Sequence, residues 1–189
     1  MKLTYSVFPL MALMAATRLY HFGDSACLPD ATLAVFFLAG FCFSQPILLL
    51  ALLSAAASCD YIAIHQLGVS DWCVSPAYLF LIPTYSLLWF AGRFCDGFIN
   101  TNKQLTLKNS SLSIAIAALA TSMAFFISNI SFYLFSGKFD DLSLINYSHA
   151  VTQYYLPYLS AALLYTVLGF SVIKLRVLFK GVNQSAALQ

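Results

Sequence analysis

Residues 29–66 read PDATLAVFFLAGFCFSQPILLLALLSAAASCDYIAIHQ, a nearly continuous apolar stretch. As a single helix it would be about 57 Å long, nearly twice the thickness of the hydrocarbon core of a bilayer. Ser44-Gln45-Pro46 is the natural turn, because proline suits the first position of a helix. The stretch therefore predicts two consecutive membrane helices.

The composition indicates the fold class. Of the 189 residues, 61% are hydrophobic and 8% are charged, and the mean hydropathy is +0.82, values typical of a membrane protein. The apolar runs are continuous rather than alternating, which favours helices over a barrel. The first run is counted as a helix, since no clear signal-peptide cleavage site follows it. We expect an all-α integral membrane protein, a single transmembrane domain over residues 1–189, with six transmembrane helices near 3–20, 29–44, 46–66, 75–95, 110–135 and 152–178.

Basic residues orient the predicted bundle, because lysine and arginine accumulate in cytoplasmic segments. With both termini cytoplasmic, only Arg18 and Lys138 lie outside. The same orientation places His21, His65 and His149 on the external face, together with most of the aspartates. The formal net charge of +2, without a dense Lys/Arg cluster, argues against a nucleic-acid partner.

Asp60 lies inside the third predicted span. An ionised carboxylate is costly there unless it faces a polar cavity or a partner, so Asp60 is a candidate site residue. The alternative is that Asp60 lies close enough to the external end of its helix to reach water.

Residues 69–78, VSDWCVSPAY, predict an external loop that turns into the fourth helix. Ser75 suits the N-cap and Pro76 the first helical position. Cys73 would then lie just ahead of a helix N-terminus, where the helix dipole favours a thiolate that acts as a nucleophile or a metal ligand. Tyr78, in the first turn, can point its hydroxyl into the same cavity. The other four cysteines lack paired or metal-binding spacing, and we interpret them as small buried hydrophobes.

Aromatic residues make up 16% of the chain. Four of them, Tyr147, Tyr154, Tyr155 and Tyr158, cluster around the outer end of the sixth predicted helix. They are either an interfacial aromatic belt or a stacking wall for a large flat ligand. No Walker A, zinc-protease or nucleophile-elbow motif is present, so the chain does not hydrolyse ATP by itself.

Four segments carry a resemblance to a known family: residues 17–24 (TRLYHFGD), 28–40 (LPDATLAVFFLAG), 69–83 (VSDWCVSPAYLFLIP) and 89–93 (WFAGR). They resemble the BtuM family, solitary cobalamin (vitamin B12) transporters of Gram-negative bacteria related to the S-components of energy-coupling factor (ECF) transporters. The resemblance covers about the first half of the chain. It joins His21, Asp60, Cys73 and Tyr78 in order.

The resemblance implies an S-component-like bundle of six helices in the bacterial inner membrane, with a corrinoid bound in a periplasm-facing pocket. Cys73 would ligate the corrin cobalt, in keeping with the affinity of thiolates for transition metals. His21, Asp60 and Tyr78 would line the site. Cobalamin is then the substrate, and no intrinsic cofactor is implied.

The relationship also suggests a partner and leaves two other functions open. An ECF-type transmembrane and ATPase module would dock on the first helix near Ala12 and Ala16, whose small-xxx-small spacing permits close packing. One alternative is a membrane enzyme in which Cys73 removes an axial ligand of cobalamin, such as cyanide. The other is a transporter for a different vitamin or a metal ion.

Overall fold

The computed structural model describes residues 7–19, 28–72, 74–102, 107–139 and 143–186. Within these ranges the chain is helical, without β-strands, which confirms the expected all-α class. A short 3₁₀ helix, Pro76–Phe80, leads directly into the fourth α-helix. The α-helices are α1 (Phe8–Arg18), α2 (Thr32–Cys42), α3 (Ile47–Leu67), α4 (Leu81–Asn102), α5 (Leu107–Phe135), α6 (Leu144–Thr152) and α7 (Tyr155–Ala186).

Three described helical segments are long and apolar enough to cross a bilayer: Ile47–Leu67, Lys108–Phe135 and Tyr155–Val177. They expose large apolar side chains, including Leu50 and Phe126. Soluble proteins rarely expose so much contiguous apolar surface, whereas lipid covers it readily. The architecture is that of an α-helical membrane protein.

The short helix α2 lies at the centre of the bundle. Every residue from Thr32 to Phe41 is buried, and α1, α3, α4, α5 and α7 all pack against this helix. Its 11 residues span about 16 Å, about half of the hydrocarbon core of a bilayer. The second predicted span is thus an interior helix that contacts protein on all sides.

Two glycines bring α2 and α4 close together. A Cβ atom on Gly40 would overlap the carbonyl of Trp89, and one on Gly92 would overlap the carbonyl of Phe37. Small residues allow helix backbones to approach in this way. The contact holds α4, and with it Tyr85, against the central helix.

The bounds of α3 lie close to those predicted, whereas α6 is an additional helix. Pro46, predicted as the first residue of the helix, is instead the N-cap of α3, one residue earlier. The helix ends at Leu67 because Gly68 adopts a left-handed backbone conformation with φ of 70°. The helix α6 is absent from the sequence prediction. Its first turn is capped by Ser143, whose side chain accepts the backbone N–H of Asn146 at 3.3 Å.

Candidate functional site

Asp60 on α3 and Arg18 at the end of α1 form a buried ion pair. Arg18 Nε lies 2.6 Å from Asp60 Oδ1 and Nη2 lies 2.7 Å from Oδ2. The two side chains are only 9% and 16% exposed. This bidentate geometry satisfies both carboxylate oxygens with charge-assisted hydrogen bonds. The carboxylate in the apolar span therefore has a partner from another helix, as burial requires.

The Arg18 guanidinium also connects α2 and α4. Nη1 donates to the Tyr85 hydroxyl at 2.9 Å and to Thr32 Oγ1 at 3.2 Å. Asp30 Oδ2 lies 3.6 Å from Nη1, while Asp30 Oδ1 accepts the backbone N–H of Thr32 at 2.9 Å and its hydroxyl at 2.5 Å. Two carboxylates thus share one guanidinium.

Tyr78 approaches Asp60 from the 3₁₀ helix, and its hydroxyl donates to Asp60 Oδ2 at 2.6 Å. Pro76 begins that helix, and Ser75 precedes it with an extended backbone. The predicted positions of these two residues are confirmed. Ser75 does not make the expected capping hydrogen bond: its Oγ is buried and has no hydrogen-bond partner among the described residues.

We refer to these six residues as the Arg18 cluster. Five helical elements and the segment preceding α2 contribute to it, so its geometry depends on how the helices pack at this end of the bundle. Its members are Arg18, Asp30, Thr32, Asp60, Tyr78 and Tyr85.

The two larger cavities beside the Arg18 cluster share Asp60 and Tyr78. The first cavity has a volume of about 320 Å³ and extends from Arg18 to Asn129 on α5. The second cavity also has a volume of about 320 Å³ and is bordered by His65. Each volume lies at the lower end of the range of about 300–1,000 Å³ found for ligand pockets. Asp60 and Tyr78 therefore lie where a ligand could contact both cavities.

The loop over residues 69–75 borders the second cavity through Asp71 and Val74. A turn forms where the Val74 N–H donates to the Asp71 carbonyl at 2.8 Å. Lys138, which follows α5, contacts the Trp72 carbonyl through its amine and lies 3.8 Å from the centroid of the Trp72 ring. The loop is thereby tied to the end of α5 by a hydrogen bond and a cation–π contact.

The structure brings together two of the four predicted ligand-binding residues, Asp60 and Tyr78, at hydrogen-bond distance. The other two, His21 and Cys73, lie outside the described residues. Within the described residues, no group of three or more His, Cys, Asp or Glu side chains is arranged to hold a metal ion.

The described histidines lie on different elements. His65 shares a face of α3 with Tyr61, as their spacing predicts, and the ring centroids are 4.3 Å apart. This pair borders the second cavity. His149 is exposed on α6.

The tyrosines of residues 147–158 do not form one wall. Tyr155 and Tyr158 both pack edge-on against Phe125, with ring centroids 5.3 Å away. Tyr147 is buried, and Tyr154 is exposed. None of the four is among the described residues that line the two cavities. Their arrangement favours helix packing and interfacial contacts over ligand stacking.

Four members of the site are not predicted from the sequence: Arg18, Asp30, Thr32 and Tyr85. Arg18 carries a readable signal, because an acidic residue within an apolar span needs a partner at the same depth and Arg18 ends the first apolar run. Tyr85 carries no such signal, since a tyrosine in an apolar helix is common. Its role depends on which face of α4 packs against α2.

Neither protein-family models nor curated proteins give a match to this chain.

Proposed function

We propose that the chain binds cobalamin and carries it across the bacterial inner membrane. The corrinoid occupies a periplasm-facing pocket at Asp60 and Tyr78, and the Cys73 sulfur is the cobalt ligand. The observation that carries the proposal is the 2.6 Å hydrogen bond between Asp60 and Tyr78. It joins two residues that the BtuM resemblance assigns to the site, at the border of two cavities.

The polar side chains of the site support a ligand that carries hydrogen-bonding groups. Arg18 holds the Asp60 carboxylate in one orientation, so Asp60 can accept hydrogen bonds from the amide groups on the rim of a corrin ring. Each cavity alone is small, and a corrinoid would occupy both, with Asp60 and Tyr78 between them. Val74, the sequence neighbour of Cys73, lines the second cavity, which supports the proposed role of Cys73 as the cobalt ligand. His21 completes the proposed ligand set.

The proposed topology has six spans with both termini cytoplasmic, in an S-component-like bundle. The helix α2 separates two chemically different ends. Thr32 belongs to the Arg18 cluster, whereas Cys42, about 15 Å further along the helix, borders a groove that also contains Arg176. Basic side chains at the Arg176 end suit the cytoplasmic surface.

An ECF-type transmembrane and ATPase module is the proposed source of energy. Ala12 and Ala16 are both exposed on α1, one turn apart on the same face. Small exposed residues at this spacing permit close approach of a partner helix.

The decisive experiment is the visible absorption spectrum of cobalamin added to the purified, detergent-solubilised protein. We expect a stoichiometric spectral shift with the wild type and its loss in Cys73→Ser. Cys42→Ser is the matched control, since Cys42 is a free, half-buried cysteine at the opposite end of α2 and should leave the shift unchanged. Absence of retained cobalamin and of any shift in all three proteins would reject the proposal.

The same experiment separates the alternatives. A spectral shift in Cys73→Ser equal to that of the wild type would show that Cys73 does not ligate the cobalt. Decyanated cobalamin that accumulates over many turnovers with added thiol would indicate an enzyme. Product that stays in the pocket after one turnover is expected of a transporter.

Growth provides a second test of the site. We expect Asp60→Asn to weaken cobalamin-dependent growth while the protein still inserts into the membrane, because the amide keeps one acceptor oxygen but loses the ion pair. Asp96→Asn is the matched control, since Asp96 pairs with Arg93 on α4. Full uptake by Asp60→Asn at normal expression would exclude Asp60 from the site.

A further inference from the structure

A groove separates α1 from α7, away from the Arg18 cluster. These two helices do not pack against each other in the described part of the chain, and α2 forms the floor between them. The groove has a volume of about 300 Å³, and apolar side chains such as Leu13, Leu38 and Val172 line it. Arg176 is the only charged side chain among the described lining residues.

The groove has the dimensions of one bilayer leaflet. Its lining on α7 extends from Tyr165 to Arg176, a rise of about 16 Å along the helix, and one leaflet of the hydrocarbon core is about 15 Å thick. Leu168 and Val172 are 51% and 50% exposed, so the groove is open along its length.

Arg176 lies at the level expected for lipid head groups. Basic side chains first enter α7 at Lys174 and Arg176, and the exposed Arg176 side chain is therefore placed at the membrane surface. Arginine side chains at such positions extend toward the interface. The groove thus combines an apolar channel one leaflet long with a single cation at its polar end.

We propose that this groove binds an anionic phospholipid, with one acyl chain between α1 and α7 and the lipid phosphate paired with Arg176. The guanidinium matches the geometry and charge of a phosphate group. Basic pockets between transmembrane helices are recognised sites for anionic head groups. This inference is independent of the proposed cobalamin site, because the two share no described residue.

The test is native mass spectrometry of the full-length protein in detergent, titrated with phosphatidylglycerol or with phosphatidylcholine of the same acyl chains. We expect phosphatidylglycerol to bind more tightly, and Arg176→Gln to weaken its binding about fivefold, the factor that one basic residue contributes at an anionic surface. Lys174→Gln is the matched control. Lys174 lies on the same helix near the same membrane surface but does not line the groove, so this variant should keep the preference.

A second pair of variants tests the acyl-chain channel. Val172→Phe adds bulk inside the groove and should weaken binding of both lipids. Val167→Phe adds the same bulk at an exposed position of α7 outside the groove and should leave the binding of both lipids unchanged. Equal binding of the two lipids by the wild type, or equal losses in Arg176→Gln and Lys174→Gln, would overturn the proposal. A lipid-free dimer that dissociates in Val172→Phe would instead assign the groove to a second copy of the chain.

Discussion

Replacing Arg18 by methionine should strongly destabilise the protein. The substitution keeps a long apolar side chain but removes the guanidinium that satisfies both oxygens of Asp60. The Asp60 side chain is only 16% exposed, and water in the neighbouring cavities replaces the lost hydrogen bonds only in part. Breaking a buried ion pair by removing one member costs about 3–5 kcal/mol. For a chain of this size, that corresponds to a fall in the unfolding temperature of about 6–20 °C.

The magnitude of this loss is best judged against a second ion pair that is more exposed. Arg93 and Asp96 lie 3.0 Å apart on α4, but their side chains are 33% and 26% exposed. Helical pairs of this kind contribute about 0.3–0.5 kcal/mol. Arg93→Gln should therefore lower the unfolding temperature far less than Arg18→Met. The assay is thermal unfolding of the detergent-solubilised variants at one fixed scan rate, because membrane proteins commonly unfold irreversibly.

A double variant identifies the cause of the loss. If the unpaired carboxylate destabilises Arg18→Met, then adding Asp60→Asn should recover part of the stability, with a coupling of about 0.5–3 kcal/mol. The reasoning is refuted if Arg18→Met unfolds within about 2 °C of the wild type, a shift of no more than about 1 kcal/mol. It is also refuted if the double variant shows no recovery.

Two further perturbations use controls that the chain itself provides, with thermal unfolding as the measurement. Gly92→Ala places a methyl group against the carbonyl of Phe37 and should destabilise the protein by about 1–3 kcal/mol. The control is Gly97→Ala, whose methyl group meets no atom within 4 Å and should be tolerated. Equal stabilities of the two glycine variants would contradict the close approach of α2 and α4. Tyr78→Phe removes the hydrogen bond to Asp60 and should lose about 1.5–3 kcal/mol. Tyr61 is 62% exposed, so Tyr61→Phe should show no loss of stability. Similar losses in both tyrosine variants would indicate a general effect of hydroxyl removal.

The helix boundaries show where sequence patterns are informative. The third predicted span, 46–66, nearly coincides with α3 (Ile47–Leu67), because a continuous apolar run bounded by proline and glycine specifies a helix locally. The short helix α6 escapes prediction, since its 9 residues mix polar and apolar side chains. Its start depends on a single capping residue, Ser143.

The candidate site also contains one residue that the sequence identifies and others that only the structure identifies. Asp60 is identifiable from the sequence because a charge within an apolar run is unusual. Its partner Arg18 is 42 residues away, and Tyr85 joins the cluster only because α4 packs closely against α2. Pairings of this kind depend on which helix faces meet.

The sequence by itself determined that this is an all-α membrane protein, since hydropathy and helix length are properties of each segment taken alone. It also indicated that Asp60 needs a polar partner. Only the tertiary structure decided that α2 is the buried centre of the bundle, that Arg18 is that partner, and that a groove remains between α1 and α7. These features arise from contacts between segments distant in sequence, where the shape of small residues such as Gly40 and Gly92 determines how closely the helices pack.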